Sequence, residues 1–596
     1  MPKPYVLLML FAFLFRAVDA ILDTIACCEK ADAARNLFDQ HHVRLDVPYS
    51  ACDWHFVNAT TPAVQVSIPY EICAATCEGG SSSDYGDATA WMAPLAQFLL
   101  PSIIFSMGIP RRRLFVPTWT LGQGRLSFVT SPLLLLLRTI DLALWVAVTF
   151  ATAGPLMIFA LTETILDINV FSVLSSRKYS NLSSASRVRL SLAITSGNLR
   201  QQIGSDTGPH CPPSGSDDSS VEPLFELSEA IDHLDRDHQP QKLLDLLNAQ
   251  TDWATIVGYP VLFYIVGFVY ASLDLEDAPP SADAPLALTF GVKWMIVVHV
   301  AIVSGCLLSN NNPSTASALV RGSLFPETRA ALPSVYNSRY QPVSIWSRDS
   351  NKQIWLDQIT LHCDNNVSGQ PTGTPCRDKQ EHAMLRIIRQ DLKIGVWQYL
   401  FAIISPALTL TTLPSIAGAY LTYQTAPKGF GCLSLTLACY AGSQILVIFL
   451  HELKRHTSAS HKHRTASPAA PAKHLCRDRL WFDVKYAVRV VYYASLLPLY
   501  LIACLISLLV ALGEPIMSAA GIYSDCKCSV NVNMWLHLDR AFVPVTFDYD
   551  SSPTSYGGWV IMEYVAALFM VLCTYASSWY YQHSMKGRYQ KFVRAL

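Results

Sequence analysis

The chain has little charge, and it lacks every compact motif by which soluble enzymes hold a phosphate, a dinucleotide or a catalytic metal. Asp, Glu, Lys and Arg make up 15% of its 596 residues, against roughly 25% in an average soluble protein. So few charges cannot coat the surface of one water-soluble body of this size; a second solvent that charges avoid is required. Lys and Arg number 44 against 45 Asp and Glu, so the excess of positive charge that holds nucleic acid is missing and nucleic acid is not an expected partner. Also absent are GxxxxGK(S/T), a GxGxxG following a strand, HExxH, a GxSxG elbow and paired CxxC. These absences argue against an enzyme built on a familiar soluble site. They leave no expected cofactor, no bound metal and no catalytic residue.

What is present is apolar sequence in long runs. Apolar residues make up 51% of the chain and mean hydropathy is +0.27. At the start, Lys3, the ten apolar residues Val6 to Phe15 and Val18-Asp19-Ala20 have the order of a secretory signal peptide cleaved after Ala20. Ten apolar residues are too few to cross a hydrocarbon layer of about 30 Å. Seven further runs reach span length: Trp91 to Ile109, Trp253 to Ser272, Leu286 to Leu308, Ile394 to Tyr423, Phe430 to Leu450, Tyr486 to Leu512 and Trp559 to Tyr581. An eighth tract, Pro132 to Ser175, is broken at Gly154-Pro155 and crosses once, crosses twice, or dips in and returns.

The distribution of Lys and Arg selects among these, because they are retained on the cytoplasmic side. With zero or two crossings, the loops 111–131, 176–251, 309–393 and 452–485 and the tail 582–596 are cytosolic and hold 33 of the 44, against six in the segments outside. A single crossing inverts that balance. The expected fold is therefore an all-α polytopic membrane protein with about nine transmembrane helices, or seven plus a re-entrant hairpin. Its parts are a signal peptide (1–20), a lumenal or extracellular segment (21–90), a first membrane segment (91–175), a cytosolic loop (176–251), two spans (252–308), a second cytosolic loop (309–393), two spans (394–451), a basic linker (452–485), two spans (486–581) around a lumenal loop (513–558), and a basic cytosolic tail (582–596). The N-terminus then lies outside and the C-terminus inside, in a plasma or secretory-pathway membrane.

In this topology Cys27, Cys28, Cys52, Cys73, Cys77, Cys432, Cys526 and Cys528 lie outside or at the outer boundary, an even set suited to disulfides whose pairing spacing alone does not give. Cys73-Ala74-Ala75-Thr76-Cys77 reads as a disulfide staple rather than half a zinc site. Asn58-Ala59-Thr60 is an outside glycosylation acceptor. Leu224 to Leu247 has helical apolar spacing among acidic neighbours and predicts helices lying on the membrane or on each other. The stretches 205–221 and 456–475 read as linkers, the second a basic loop that carries His456, His461, His463 and His474.

The candidate site is charge at membrane depth. Arg138 and Asp141 stand three apart, Glu163 and Asp167 four apart, and His299 lies near the middle of its run; both spacings place a pair on one helix face. An unpaired charge near the bilayer centre costs about 2.5–3.5 kcal/mol on insertion scales, so such groups pair or line a wet path. Pro406, Pro414 and Pro498 interrupt spans as in broken transporter helices, and Ser304-Gly305-Cys306 permits close helix approach.

Some of these stretches resemble a group of large multi-span proteins of filamentous ascomycete fungi: Tyr70-Glu71-Ile72-Cys73 with Cys77, Leu246 to Gln250 leading into Gly258-Tyr259-Pro260-Val261, and Trp294 to Leu308 with Asn311-Asn312-Pro313. The resemblance implies a multi-span fold and carries over no activity and no site residue. Four function classes follow. A transporter or channel for a small ion or molecule needs Asp141, Glu163, Asp167 and His299 in one hydrated cavity. A scaffold or accessory factor needs a dry bundle and cytosolic partners on loops 176–251 and 309–393. A seven-span receptor needs the re-entrant form, and an intramembrane enzyme needs a catalytic pair.

Overall fold

In the computed structural model the described residues are 24–33, 36–38, 42–44, 66–77, 98, 100–111, 127–197, 199–201, 239–250, 253, 257–277, 283–310, 340–365, 379–424, 430–465, 495–513, 517, 526–528, 530–544 and 553–596. Helix dominates them. In chain order the elements are α1 (Thr24–Ala33), β1 (Ser67–Pro69), α2 (Tyr70–Thr76), α3 (Leu100–Gly108), α4 (Ser127–Ala151), α5 (Ala153–Ser175), α6 (Ser184–Ser196), β2 (Leu199–Gln201), α7 (Gln239–Asn248), α8 (Tyr259–Asp277), α9 (Asp283–Gly305), β3 (Tyr340–Pro342), α10 (Ile345–Asn365), α11 (Lys379–Asp391), α12 (Ser405–Gln424), α13 (Cys432–Thr465), α14 (Ser495–Gly513), β4 (Phe542–Pro544), α15 (Pro553–Trp579) and α16 (Gly587–Arg594). Helical turns Val396–Tyr399 and a π-helical stretch Leu400–Ile404 lead into α12, and a second π-helical stretch, Tyr580–Lys586, joins α15 to α16.

Five helical stretches are long and apolar enough to cross a membrane: Ala153–Ser175, Leu288–Gly305, Val396–Tyr423, Cys432–Arg455 and Ser495–Gly513. Each falls on an expected span or on the second arm of the broken tract. Three other expected spans fall on α3, α8 and α15, where α8 carries a shorter apolar stretch, Tyr259–Tyr270. The central helix is α9. Its apolar stretch is 94% buried, against 17% for α14, which explains why α9 is apolar on every side. Large apolar side chains also cover the outside of the bundle: Leu262, Phe263 and Val266 on α8, Phe449 on α13, Leu501 and Leu509 on α14. A belt of that kind is stable only against lipid. Within the bundle Gly305 serves close approach, since a Cβ there would lie 2.8 Å from Val257.

The broken tract bends at Thr152 (φ −129°, ψ 29°). The first arm closes with the Thr152 N–H donating to the Val148 carbonyl and the second opens with the Leu156 N–H donating to the Thr152 carbonyl, each at 3.0 Å. Pro155 has no N–H to offer Ala151, and the Gln444 carboxamide of α13 takes over. Its Nε2 donates to the Phe150 and Ala151 carbonyls at 2.9 and 3.3 Å, and its Oε1 accepts from the Gly154 N–H at 3.2 Å. A Cβ on Gly154 would lie 2.3 Å from Ile448, so glycine is what lets α5 lie on α13. Gln444→Leu leaves the Gly154 N–H buried and unpaired. A loss of about 1–3 kcal/mol is expected, read as a lower unfolding temperature of the purified full-length chain.

Two further bodies sit on the bundle. At one end, strands β1 and β4 pair antiparallel with Ile68 opposite Val543, and disulfides Cys27–Cys77, Cys73–Cys526 and Cys432–Cys528 tie the N-terminal segment, the 513–558 loop and the start of α13 together. Cys28 is disulfide-bonded too. At the other end, α6, α7, α10, α11, α16 and the far end of α5 share a second apolar core that includes Phe171, Leu190, Leu246, Trp355, Ile388 and Tyr589. Cys432 opens α13 and His451, packed edge-on against Phe159 at 5.1 Å, comes about 28 Å further along at 1.5 Å per residue. The disulfides and the second core therefore lie at opposite ends.

One expectation changes here. The 456–475 stretch is not wholly a linker, because α13 runs on to Thr465. The basic tail is held in place: Tyr589 and Val593 are buried and the Tyr589 hydroxyl donates to the Ser191 carbonyl at 3.2 Å. Segments 176–251 and 309–393 meet where β2 pairs with β3 through Arg200 and Gln341.

Candidate functional site: a buried charge cluster where the bundle meets the helical body

Helix α5 carries Glu163 and Asp167 on one face, and α10 carries Arg348 and Lys352 with the same four-residue step. The helices lie side by side, so two acids meet two bases. Arg348 Nε is 3.0 Å from Glu163 Oε2; Lys352 Nζ is 3.2 Å from Glu163 Oε1 and 2.5 Å from Asp167 Oδ1. All four side chains are 0–1% exposed. Ser309, four residues past the end of α9, donates its hydroxyl to Glu163. It also receives Arg348, whose Nη2 lies 2.6 Å from the Ser309 carbonyl and 2.5 Å from its hydroxyl. Neighbouring groups hold α10 in register. Asn351 donates to the Gly197 carbonyl at 2.9 Å, and a Cβ on Gly197 would lie 2.7 Å from the Lys352 stem, so the ammonium reaches the acids only past a glycine. Asp349 points elsewhere; burial pushes its carboxyl up, and Arg455 partly offsets this.

The cluster is electrically balanced and sealed. Taking four charges out of water is costly, and only mutual pairing with added hydrogen bonds repays it. Such an arrangement fixes α5 against α10 and Ser309, and so couples the bundle to the helical body.

The other candidates lie apart from it. Asp141 pairs with Arg111 and not with Arg138: Arg111 Nη1 is 3.0 Å from the Asp141 carboxylate, and the guanidinium lies over Trp145 at 5.8 Å. Arg138 is exposed. His299 is buried in the bundle with Nδ1 3.0 Å from the Leu410 carbonyl and its ring edge-on to Phe569. Of the five candidates the structure brings only Glu163 and Asp167 together. The sulfurs of Cys27, Cys73 and Cys77 approach one another within 4.8 Å, but the Cys27–Cys77 and Cys73–Cys526 bonds leave no thiolate for a metal. Asn58 and Cys52 lie outside the described residues.

The partners of the acids were missed because they sit in a loop read only for its net charge. The signal was there: Arg348 and Lys352 repeat at four residues between Trp346 and Trp355, two large aromatic residues that a solvated basic loop does not need. A cation inside an expected span was also passed over. Lys293 on α9 is buried, donates to the Val510 carbonyl at 2.9 Å and lies over the Tyr440 ring at 5.7 Å. Comparison of the chain with protein-family models, with curated proteins and with solved structures found no match.

Proposed function

We propose that the chain is a multi-span membrane scaffold that holds a helical body at the cytosolic surface of a plasma or secretory-pathway membrane and offers it to protein partners through 176–251 and 309–393. The disulfide-bonded end lies in the oxidising compartment and the basic end in the cytosol. The broken tract enters from the cytosolic side, bends at Thr152 and returns, which gives seven spans plus a re-entrant hairpin. Three levels support this path: Asp141 with Arg111, Phe150 against Trp294 at 4.3 Å, and Phe159 against Trp346 at 5.9 Å. The observation that carries the scaffold reading is the sealed cluster. The membrane-depth acids meet bases of the helical body, whereas a transport path needs them open to water with Asp141 and His299.

A transporter is the second reading, favoured by the π-helical stretch before α12 and by His299 Nε2, buried without a hydrogen-bond partner. Hydroxyl-radical footprinting of the full-length chain in native membranes separates the two, because modification needs adjacent water. The scaffold reading expects His299 and Met295 to stay unmodified while exposed His537 is oxidised. Comparable labelling at His299 and His537 would overturn it in favour of a hydrated path.

A further inference from the structure

Ser180 differs from the other hydroxyls in the turn between α5 and α6. Ser176 accepts from the Lys178 N–H at 3.3 Å, Ser183 caps α6 by accepting from the Ser186 N–H at 3.2 Å, and Ser186 is buried. Ser180 is exposed, and its hydroxyl makes one long contact, 3.4 Å to the Asn181 side chain. Arg177, three residues before it, and Lys178, two before, are exposed as well. Arg187 reaches the same turn from α6, its Nη2 donating to the Ser180 carbonyl at 2.7 Å and to the Tyr179 carbonyl at 3.4 Å. The backbone is already extended at Ser176 (φ −77°, ψ 131°) and at Ser183 (φ −60°, ψ 152°). Presenting the segment as an extended strand therefore means undoing one 3-10 turn, Arg177–Tyr179, and lifting the Tyr179 ring from the second core. The latch on that turn is weak. Asp391, the last residue of α11, accepts from the Tyr179 hydroxyl and pairs with Lys178 at 2.9 Å. The two ion-pair partners are 56% and 43% exposed, where water screens most of the attraction.

We propose that Ser180 is a phosphorylation site for a basic-directed serine kinase of the cytosol, and that Arg187 holds the phosphate. Kinases of that class select substrates by charge pattern, and an arginine three before the serine with a lysine two before it offers both cations to the acids of their clefts. Ser180 Oγ attacks the γ-phosphorus of ATP; the new O–P bond replaces the bond to the bridging oxygen, ADP leaves, and the hydroxyl proton passes to the kinase's catalytic Asp. The product adds about two negative charges where Arg187 already lies against the backbone, and a guanidinium binds phosphate oxygens in pairs. It also competes with Asp391 for Lys178. The modification thus acts on a link between 176–251 and 309–393, the segments offered to partners. The site rests on the cytosolic placement proposed above and does not depend on whether the bundle is a scaffold or a transporter.

The test uses the full-length chain in sealed microsomal vesicles whose cytosolic face is outward, given ATP and the catalytic subunit of a cyclic-AMP-dependent kinase. Phosphopeptides are read by mass spectrometry before and after detergent opens the vesicles. The expected result is phosphate on Ser180 in the sealed vesicles, absent in Ser180→Ala. Arg177→Gln, a change at an exposed side chain, is expected to slow the labelling by about tenfold or more with an unchanged unfolding temperature. Arg187→Gln is expected to keep the label and let an added phosphatase remove it severalfold faster. Equal labelling of Ser180 in the wild type and in Arg177→Gln overturns the proposal, and an unchanged rate of removal in Arg187→Gln overturns the role of that guanidinium. No phosphate on Ser180 even in detergent overturns the proposal alone and leaves the cytosolic placement standing. Phosphate that appears only once the vesicles are opened overturns both.

Discussion

Glu163→Gln is expected to lower the stability of the full-length chain by about 3–5 kcal/mol, the usual cost of removing one member of a buried ionic network. The variant keeps the shape of the side chain and deletes its charge, so Arg348 and Lys352 remain sealed with Asp167 alone against them. An uncompensated cation in a site 0–1% exposed has no water to fall back on. Loss of order should begin at the contact between α5 and α10, read as faster amide exchange over Ile345–Asn365 than over α9. A stability change below about 1 kcal/mol, the median for an exposed ion pair, would mean that water reaches the cluster.

Cys73→Ser is expected to have the second largest effect. The Cys73–Cys526 bond joins positions 453 residues apart and ties the N-terminal segment to the loop before α15. Removing a native disulfide typically costs about 2–5 kcal/mol. Without it the β1–β4 pair has three residues on each strand and the small core around Val66, Ile68 and Val543 to hold it. Cys526→Ser and the double variant should unfold at the same temperature as Cys73→Ser, because all three lack the same bond. A double variant clearly less stable than either single would show that the two cysteines have other partners.

The membrane helices were legible in the sequence because apolar runs of span length admit few readings. The five stretches long and apolar enough to cross a membrane coincide with expected spans or with the second arm of the broken tract. The break at Gly154-Pro155 was legible too. Its geometry was not, since the backbone groups freed at the break are answered by the Gln444 carboxamide, 290 residues away. Disulfide pairing was unreadable for the same reason: Cys73 and Cys526 are neighbours only once β1 has found β4. The acids at membrane depth were visible as costly residues, but the sequence shows only that such a charge needs an answer. Glu163 and Asp167 answer to Arg348 and Lys352, and Asp141 answers to Arg111 rather than to Arg138 on its own face. Charge counting used Arg348, Lys352 and Arg111 as topology markers, which hid their second role.

The most direct test of the sealed cluster is a double-mutant cycle on Asp167 and Lys352, read as the unfolding free energy of the full-length chain. Asp167→Asn and Lys352→Met each leave the buried cluster with one unbalanced charge, whereas the double variant removes a charge of each sign. The expected result is a double variant more stable than Lys352→Met alone, with a coupling of about 1–3 kcal/mol. Two losses that simply add would contradict the account, because groups that each answer to water do not sense one another's removal.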